Sequence, residues 1–335
     1  MIRKAKGFTV VIGLLFAWVI LFENLPAVQA KDPDYPTKPI EFILTLSAGG
    51  STDLACRALN KAAGEYLGQP IVTINKPGAN GAIAHRYVRK ATTDGYTLGN
   101  VMGSSLLMPF SEDPPFNNTK DYTWITSFGS YVYILLVRDD APWKEWGDFI
   151  GWAKKNPRGT KLGTTGSKTV DFKAFNMWQI GKQEGADFTI MVYKSSADML
   201  TALLGGHINM YASTIDASTI SYLKEKKLRI LAFITLPKMP GYENILALSE
   251  IYKVTYPNFL GIVGPKGLPD AVVKKLEVAY SKAMTSAEFI KVMNTMHMPI
   301  TLMDSTALTK YAEENFSETA KVYEKVKADE AKEKK

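Results

Sequence analysis

The sequence predicts an α/β fold made of two lobes with a ligand cleft at the hinge between them. Short apolar runs of strand length alternate with amphipathic helical stretches along almost the whole chain, the pattern that builds strand–helix–strand layers. Polar, glycine-containing loops join a strand directly to a helix at two distant places. The chain has 335 residues, more than one core usually serves, so two domains are expected. With 46% hydrophobic and 22% charged residues the composition is that of an ordinary folded protein and excludes disordered, collagenous and disulfide-knotted classes.

The first thirty residues stand apart. Arg3, Lys4 and Lys6 precede an apolar run from Phe8 to Phe22, and Val28 and Ala30 supply small residues at a cleavage site. This reads as a secretory signal peptide over 1–30, because the run is shorter than the roughly 20 residues a membrane span needs. Its removal leaves an exported, mildly basic chain. The charge is spread without a basic stripe or interleaved aromatics, so no nucleic-acid face is expected. A single Cys, Cys56, excludes an internal disulfide and a cysteine zinc cage, and His85, His207 and His297 are scattered; neither a metal nor a cofactor is expected.

In the mature chain, Ile40 to Leu46 is a strand that runs through Ser47-Ala-Gly-Gly50 into a helix ending near Gly68. A strand from Ile71 to Ile74, a loop over 75–81, a helix to about Ala91 and a strand from Tyr96 to Asn100 follow. Strands are then predicted over Tyr131 to Val137, Lys161 to Gly163, Phe188 to Val192, Ile208 to Ala212 and Leu228 to Ile234. Helices are predicted over Trp143 to Lys155, Val170 to Glu184 and Ala197 to Leu204. The last eighty residues hold a strand from Phe259 to Gly264, a helix started by Pro269, and helices over Ala287 to Met296 and Thr306 to Lys327. They are too helical for a third sheet domain, so they return to complete the first lobe. The expected division is 31–130 plus 255–335 for one lobe and 131–254 for the other, with parallel sheets covered by helices on both faces. Trp124, Phe128 and Tyr131 are read as core residues, with cleft lining as the alternative.

The loop Ser47, Ala48, Gly49, Gly50, Ser51, Thr52, Asp53 leaves a strand's carboxyl end and opens a helix. Unpaired N–H groups and the positive helix end attract anions there, and Ser51 or Thr52 is placed to cap the helix or donate a hydroxyl. A second loop, Gly163-Thr164-Thr165-Gly166-Ser167-Lys168-Thr169, repeats the arrangement. Two such loops would pinch one anion, with Lys168 the candidate for a second carboxylate on the ligand. The nucleotide signatures Gly-Lys-Ser/Thr and Gly-x-Gly-x-x-Gly are absent from these loops, and no Gly-x-Ser-x-Gly or His-Glu-x-x-His motif points to an enzyme.

The segments Tyr35-Pro-Thr-Lys-Pro-Ile40, Ser47 to Asp53 with Arg57, Leu67-Gly-Gln-Pro70, Asn75-Lys-Pro-Gly-Ala-Asn-Gly81 and Asp94-Gly-Tyr-Thr-Leu98 resemble, in order and spacing, the Bug-type periplasmic substrate-binding proteins of tripartite tricarboxylate transporters. Val192-Tyr-Lys194, Leu203-Leu-Gly-Gly206 and Gly261 to Pro269 match later landmarks. The resemblance implies a type II periplasmic-binding-protein-like architecture of two Rossmann-like lobes. It also implies capture of a small organic carboxylate, a dicarboxylate among the possibilities, by the two loops, and delivery to membrane permease subunits. Asn75 and Asp216 complete the candidate ligand-binding set with Ser47 to Asp53 and Thr164 to Thr169. The chain departs from the family at Val170 and Asp171, where a His is frequent, and at Ser195, where Gly is usual. The expectation is a monomeric, cofactor-free periplasmic receptor. The alternatives are a secreted carboxylate-processing enzyme using Asp53 or Asp171 as base, and a sensory module feeding a two-component kinase.

Overall fold

Among the described residues ten strands pair into two separate five-stranded sheets, and the chain passes from one to the other and back. The computed structural model describes residues 34–333 apart from 158, 167–170 and 255; the predicted signal peptide lies outside the described residues. Both sheets belong to the unit Lys38–Lys335. The first sheet has the order β2 (Ile71–Asn75), β1 (Ile40–Leu44), β3 (Thr97–Met102), β10 (Leu260–Pro265), β4 (Tyr122–Gly129). The second has the order β7 (Phe188–Val192), β6 (Thr160–Thr164), β8 (Met210–Thr214), β5 (Tyr133–Arg138), β9 (Leu228–Phe233).

The sheets are mixed, which corrects the expectation of parallel ones. β10 runs antiparallel to β3 and β4, and β5 antiparallel to β8 and β9. Each odd strand is the one that arrives from the other sheet, β5 through residues 130–132 and β10 through residues 234–259. Strands joined through helices stay parallel to their neighbours, as in β1–β2, β1–β3, β6–β7 and β6–β8, because a crossover helix returns the chain to the same end of the sheet. β4 was not anticipated: its residues are buried at every position but Thr123, so it shows no period-2 alternation to mark it.

The helices are α1 (Ser51–Leu67), α2 (Ala82–Arg89), α3 (Trp146–Lys155), α4 (Phe172–Glu184), α5 (Ser196–Leu204), α6 (Ala217–Lys224), α7 (Asp270–Ala283), α8 (Ala287–Thr295) and α9 (Ser305–Glu333). α1 stops where Gly68 takes a left-handed conformation (φ 72°), and α1 packs against α7 and α8. The departure at Ser195 has a local reason, since its hydroxyl caps α5 by accepting from the Asp198 N–H. Trp124 and Phe128 are core residues; the Trp124 indole donates to the Thr119 carbonyl and Phe128 meets Phe289 edge-on. Cys56 is completely buried and burial pushes its thiol well above the usual range, the behaviour of a small core residue.

Two segments join the sheets, the short one of residues 130–132 between β4 and β5 and the longer one of residues 234–259 that leads from β9 into β10. Asn258 clasps them: its Oδ1 accepts from the Tyr131 N–H at 2.9 Å and its Nδ2 donates to the Tyr131 carbonyl at 2.8 Å. Gly103 lies against the returning segment, donating its N–H to the Phe259 carbonyl at 3.0 Å. A Cβ at position 103 would stand 1.7 Å from the Pro257 carbonyl oxygen. Gly103→Ala is therefore expected to cost about 3 kcal/mol or more, since backbone must move on both sides, read as a lowered urea midpoint.

His85 is buried beside Tyr122 and Ser105, its ring nitrogens 3.2 Å from the Tyr122 hydroxyl and 3.1 Å from Ser105 Oγ. Burial holds the imidazole neutral by lowering its pKa to about 4. An unfolded imidazole titrates near 6.5, so between those values the unfolded chain binds the extra proton. Stability is expected to fall as pH drops from about 6.5 to 4, by up to roughly 3 kcal/mol from this group. Urea titrations at stepped pH should show that slope in the native protein and its loss in His85→Gln.

Candidate functional site

The parallel strands β1, β2 and β3 end together, as do β6, β7 and β8, so the loops after Leu44 and Thr164 each leave the carboxyl edge of a sheet. β4 also ends at the first of these edges and β5 begins at the second. Gly129 and Tyr133 are four Cα steps apart, at most about 14 Å. The sheets thus present their loop-bearing edges to one another near the crossing.

In the first loop, Ser47, Ala48, Gly49 and Gly50 are exposed whereas Thr52 and Asp53 are buried. The N-cap of α1 is Gly50, with no side chain on the helix end; neither Ser51 nor Thr52 plays the capping part foreseen for it. The helical ladder starts with the Leu54 N–H donating to the Gly50 carbonyl at 3.0 Å. The amides of Ser51, Thr52 and Asp53 precede it, the geometry that attracts an anion.

Asp53 shapes the loop. It is 2% exposed and its Oδ2 accepts the Gly49 N–H at 2.9 Å, while Arg57 Nε donates to Oδ1 at 3.0 Å and Asn75 Nδ2 to Oδ1 at 2.9 Å. Asn75 Nδ2 also donates to the Leu46 carbonyl, and Arg57 donates to Asn75 Oδ1 at 2.6 Å. Burial alone would raise the Asp53 pKa, but the hydrogen bonds from Arg57, Gly49 and Asn75 outweigh it and hold the carboxyl below its usual range. Gly49 adopts φ +86°, where a Cβ is strained, and that conformation aims its N–H inward at Asp53. Behind the loop, the Thr45 N–H donates to Asn100 Oδ1 at 2.7 Å.

Thr52 faces the crossing, where its hydroxyl shares a short hydrogen bond with the Tyr131 hydroxyl. Tyr131 also donates to Met102 Sδ at 3.6 Å, and burial pushes its phenol up to about 12. The Tyr131 ring meets Tyr133 edge-on at 5.7 Å, Tyr133 lies 4.5 Å from Tyr256, and Tyr256 lies 5.7 Å from Phe172. This aromatic chain runs from the first loop's helix to α4, which follows the second loop.

In the second loop the Thr164 hydroxyl donates to the Gly166 carbonyl at 2.7 Å and the exposed Thr165 to Asp171 Oδ2 at 3.1 Å. Asp171 caps α4 by accepting the Lys173 N–H and pairs with Lys173 Nζ at 3.0 Å. Ser167, Lys168 and Thr169 lie outside the described residues. Asp216 caps α6, accepting from Ser218 Oγ and the Thr219 N–H, both at 2.7 Å. Asp53, Asn75 and Asp216 therefore serve loop and helix ends, and the exposed groups of the first loop are main chain and Ser47. Among the described residues no cluster of three His, Cys, Asp or Glu is placed to hold a metal, and no helix is long and apolar enough to cross a membrane.

Arg57, Met102, Asn100 and Asn258 join the site without having been among the candidates, and Tyr131 joins it where cleft lining was only the alternative to a core reading. Arg57 had a signal in its i,i+4 spacing from Asp53. Asn258, a lone amide in an apolar stretch, had none.

Residues 55–327 match the model of the tripartite tricarboxylate transporter family receptors, TctC. The chain belongs to this family. A TctC relative, the UPF0065 protein in the gbd 5′ region of Cupriavidus necator, is 30% identical over 303 residues, covering 90% of this chain and 91% of that protein. Among solved structures, a TctC solute-binding protein from Polaromonas has a TM-score of 0.75 at 24% identity, over 87% of this chain and 99% of the other. An R. palustris protein solved with adipate has a TM-score of 0.70 at 22% identity, over 87% and 97%. Two α/β sheets with flanking helices are the fold these structures share with this TctC chain.

The buried Asp53 hub implies a cost for removing it. Asp53→Ala leaves the Gly49 amide and Arg57 without their acceptor and is expected to destabilise by about 2 kcal/mol, discounted because Arg57 is half exposed. Since the folded pKa is depressed, the hub's contribution is complete above the unfolded value near 3.9 and is lost as pH falls through the folded value. Denaturation at pH 7 and pH 2.5 should show the variant's deficit shrinking in acid.

Proposed function

We propose that this protein is a periplasmic solute-binding receptor that holds a small organic carboxylate between the loops Ser47–Asp53 and Thr164–Thr169 and delivers it to membrane permease subunits. The lobes are taken as 31–130 plus 255–335 and 131–254, with residues 1–30 removed on export. The observation that carries this reading is the uncapped amino end of α1, its amides free of a capping side chain, beneath an exposed main-chain loop whose shape Asp53 fixes from behind. A carboxylate there receives several charge-assisted hydrogen bonds, each worth about 1.5–3 kcal/mol, enough together with lobe closure for micromolar affinity. Family membership and the adipate-bound relative favour a carboxylate over other anions. Lys168 is the candidate partner for a second carboxylate on the ligand. The receptor works as a monomer without a cofactor in this reading.

Gly50 has only the Ser47 carbonyl oxygen near its missing Cβ, at 3.9 Å, so Gly50→Val folds normally while placing bulk where the ligand meets main chain. A thermal-shift screen over mono-, di- and tricarboxylates and aromatic acids, followed by calorimetry, should find a binder whose affinity falls at least about tenfold in Gly50→Val and several-fold in Ser167→Ala. Unchanged affinity in both variants would falsify the two-loop reading. Recovery of chemically altered ligand after long incubation would instead favour an enzyme.

A further inference from the structure

A cavity of about 630 Å³ is lined by none of the described residues of either candidate loop. Its walls come from both sides of the crossing. Val132 belongs to the crossing segment; Ile220 stands on α6 and Met239 follows β9 in the second sheet; Met293, Met298 and Pro299 come from α8 and the chain beyond it. That last wall is tied to the crossing, since the Ser130 N–H donates to the Pro299 carbonyl at 2.9 Å, and to the ligand-loop helix, since α8 packs on α1.

The chemistry of the lining is one-sided. It is mostly apolar and rich in methionine, a side chain that adapts to varied shapes, and among the described residues it contains no acid. Its basic groups are Lys224, Lys238 and His297. Lys238 is paired with Glu250 at 3.1 Å, whereas Lys224 makes no ion pair among the described residues. His297 is held at φ +51°, an uncommon conformation for a residue with a Cβ. The volume falls within the range of small-molecule sites.

We propose that this cavity binds a small amphipathic monocarboxylate, its apolar tail among the methionines and its head at Lys224, and that occupancy biases the relative position of the two sheets. The coupling follows from where the walls are anchored. A rotation about residues 130–132 changes the gap between Pro299 and Met239, so a ligand filling that gap has different affinities for the two positions.

Octanoate is the probe, with 1-octanol as its neutral counterpart, measured by calorimetry on the mature chain. Octanoate should bind saturably and at least about tenfold more tightly than octanol. Ile220→Trp, which fills the cavity, and Lys224→Glu, a surface change safe for folding, should each weaken it about tenfold or more, while Gly50→Val leaves it unchanged. Amides of 130–132 should exchange more slowly with octanoate present. The proposal is overturned by no saturable binding at millimolar octanoate, by equal affinity for octanol, by unaltered affinity in Ile220→Trp or Lys224→Glu, or by unchanged exchange at 130–132. Loss of octanoate binding in Gly50→Val but not in Ile220→Trp would assign the acid to the two loops and overturn the second site without touching the receptor reading.

Discussion

The pair of hydrogen bonds between Asn258 and the Tyr131 main chain is the constraint on which the arrangement of the molecule turns. The chain passes between sheets twice, and the passage from β4 to β5 uses only residues 130–132. One amide side chain satisfies the donor and the acceptor of Tyr131 where no sheet continues to do so, a requirement for buried main chain. Because Gly103 lets the returning segment lie directly on β3's end, the two passages stay together and behave as one joint. Both strands that run against their neighbours, β5 and β10, are consequences of this joint.

From the joint, the geometry of the first loop follows through Tyr131 and Thr52 on one side and through Asp53 on the other. A carboxylate inside the loop would repel an anion if its charge faced outward. Its charge is instead spent inward, on the Gly49 amide, Arg57 and Asn75, and the half-exposed Arg57 offsets it. Fixing a loop before binding removes part of the ordering cost that association otherwise incurs. The absence of a side-chain cap on α1 belongs to the same logic, because a cap would occupy the donors that the proposed carboxylate needs.

The sequence was most legible where local rules operate. The strand Phe188–Val192 agrees to the residue with its apolar run, and the glycine turn that leads a strand into the helix at Ser51 is readable from its residues alone. It was least legible where tertiary contact decides. β4 is buried along nearly its whole length and carries no alternation. α6 was passed over because its residues, Ala217 to Lys224, show little helical bias without the cap that Asp216 supplies. The departure at Asp171 likewise acquires meaning only in the fold, where it caps α4 and receives the Thr165 hydroxyl.

By itself the sequence determined the alternation of strands and helices, the two strand-to-helix loops and the family pattern in Ser47 to Asp53, because each is a property of neighbouring residues. Only the tertiary structure decided that Asp53 points into its own loop, that Asn75 and Arg57 meet it from positions 22 and 4 residues away, and that β5 and β10 run against their sheets. Those outcomes depend on which groups are buried together, and a buried polar group takes whichever partner the packing brings within reach, regardless of its distance along the chain.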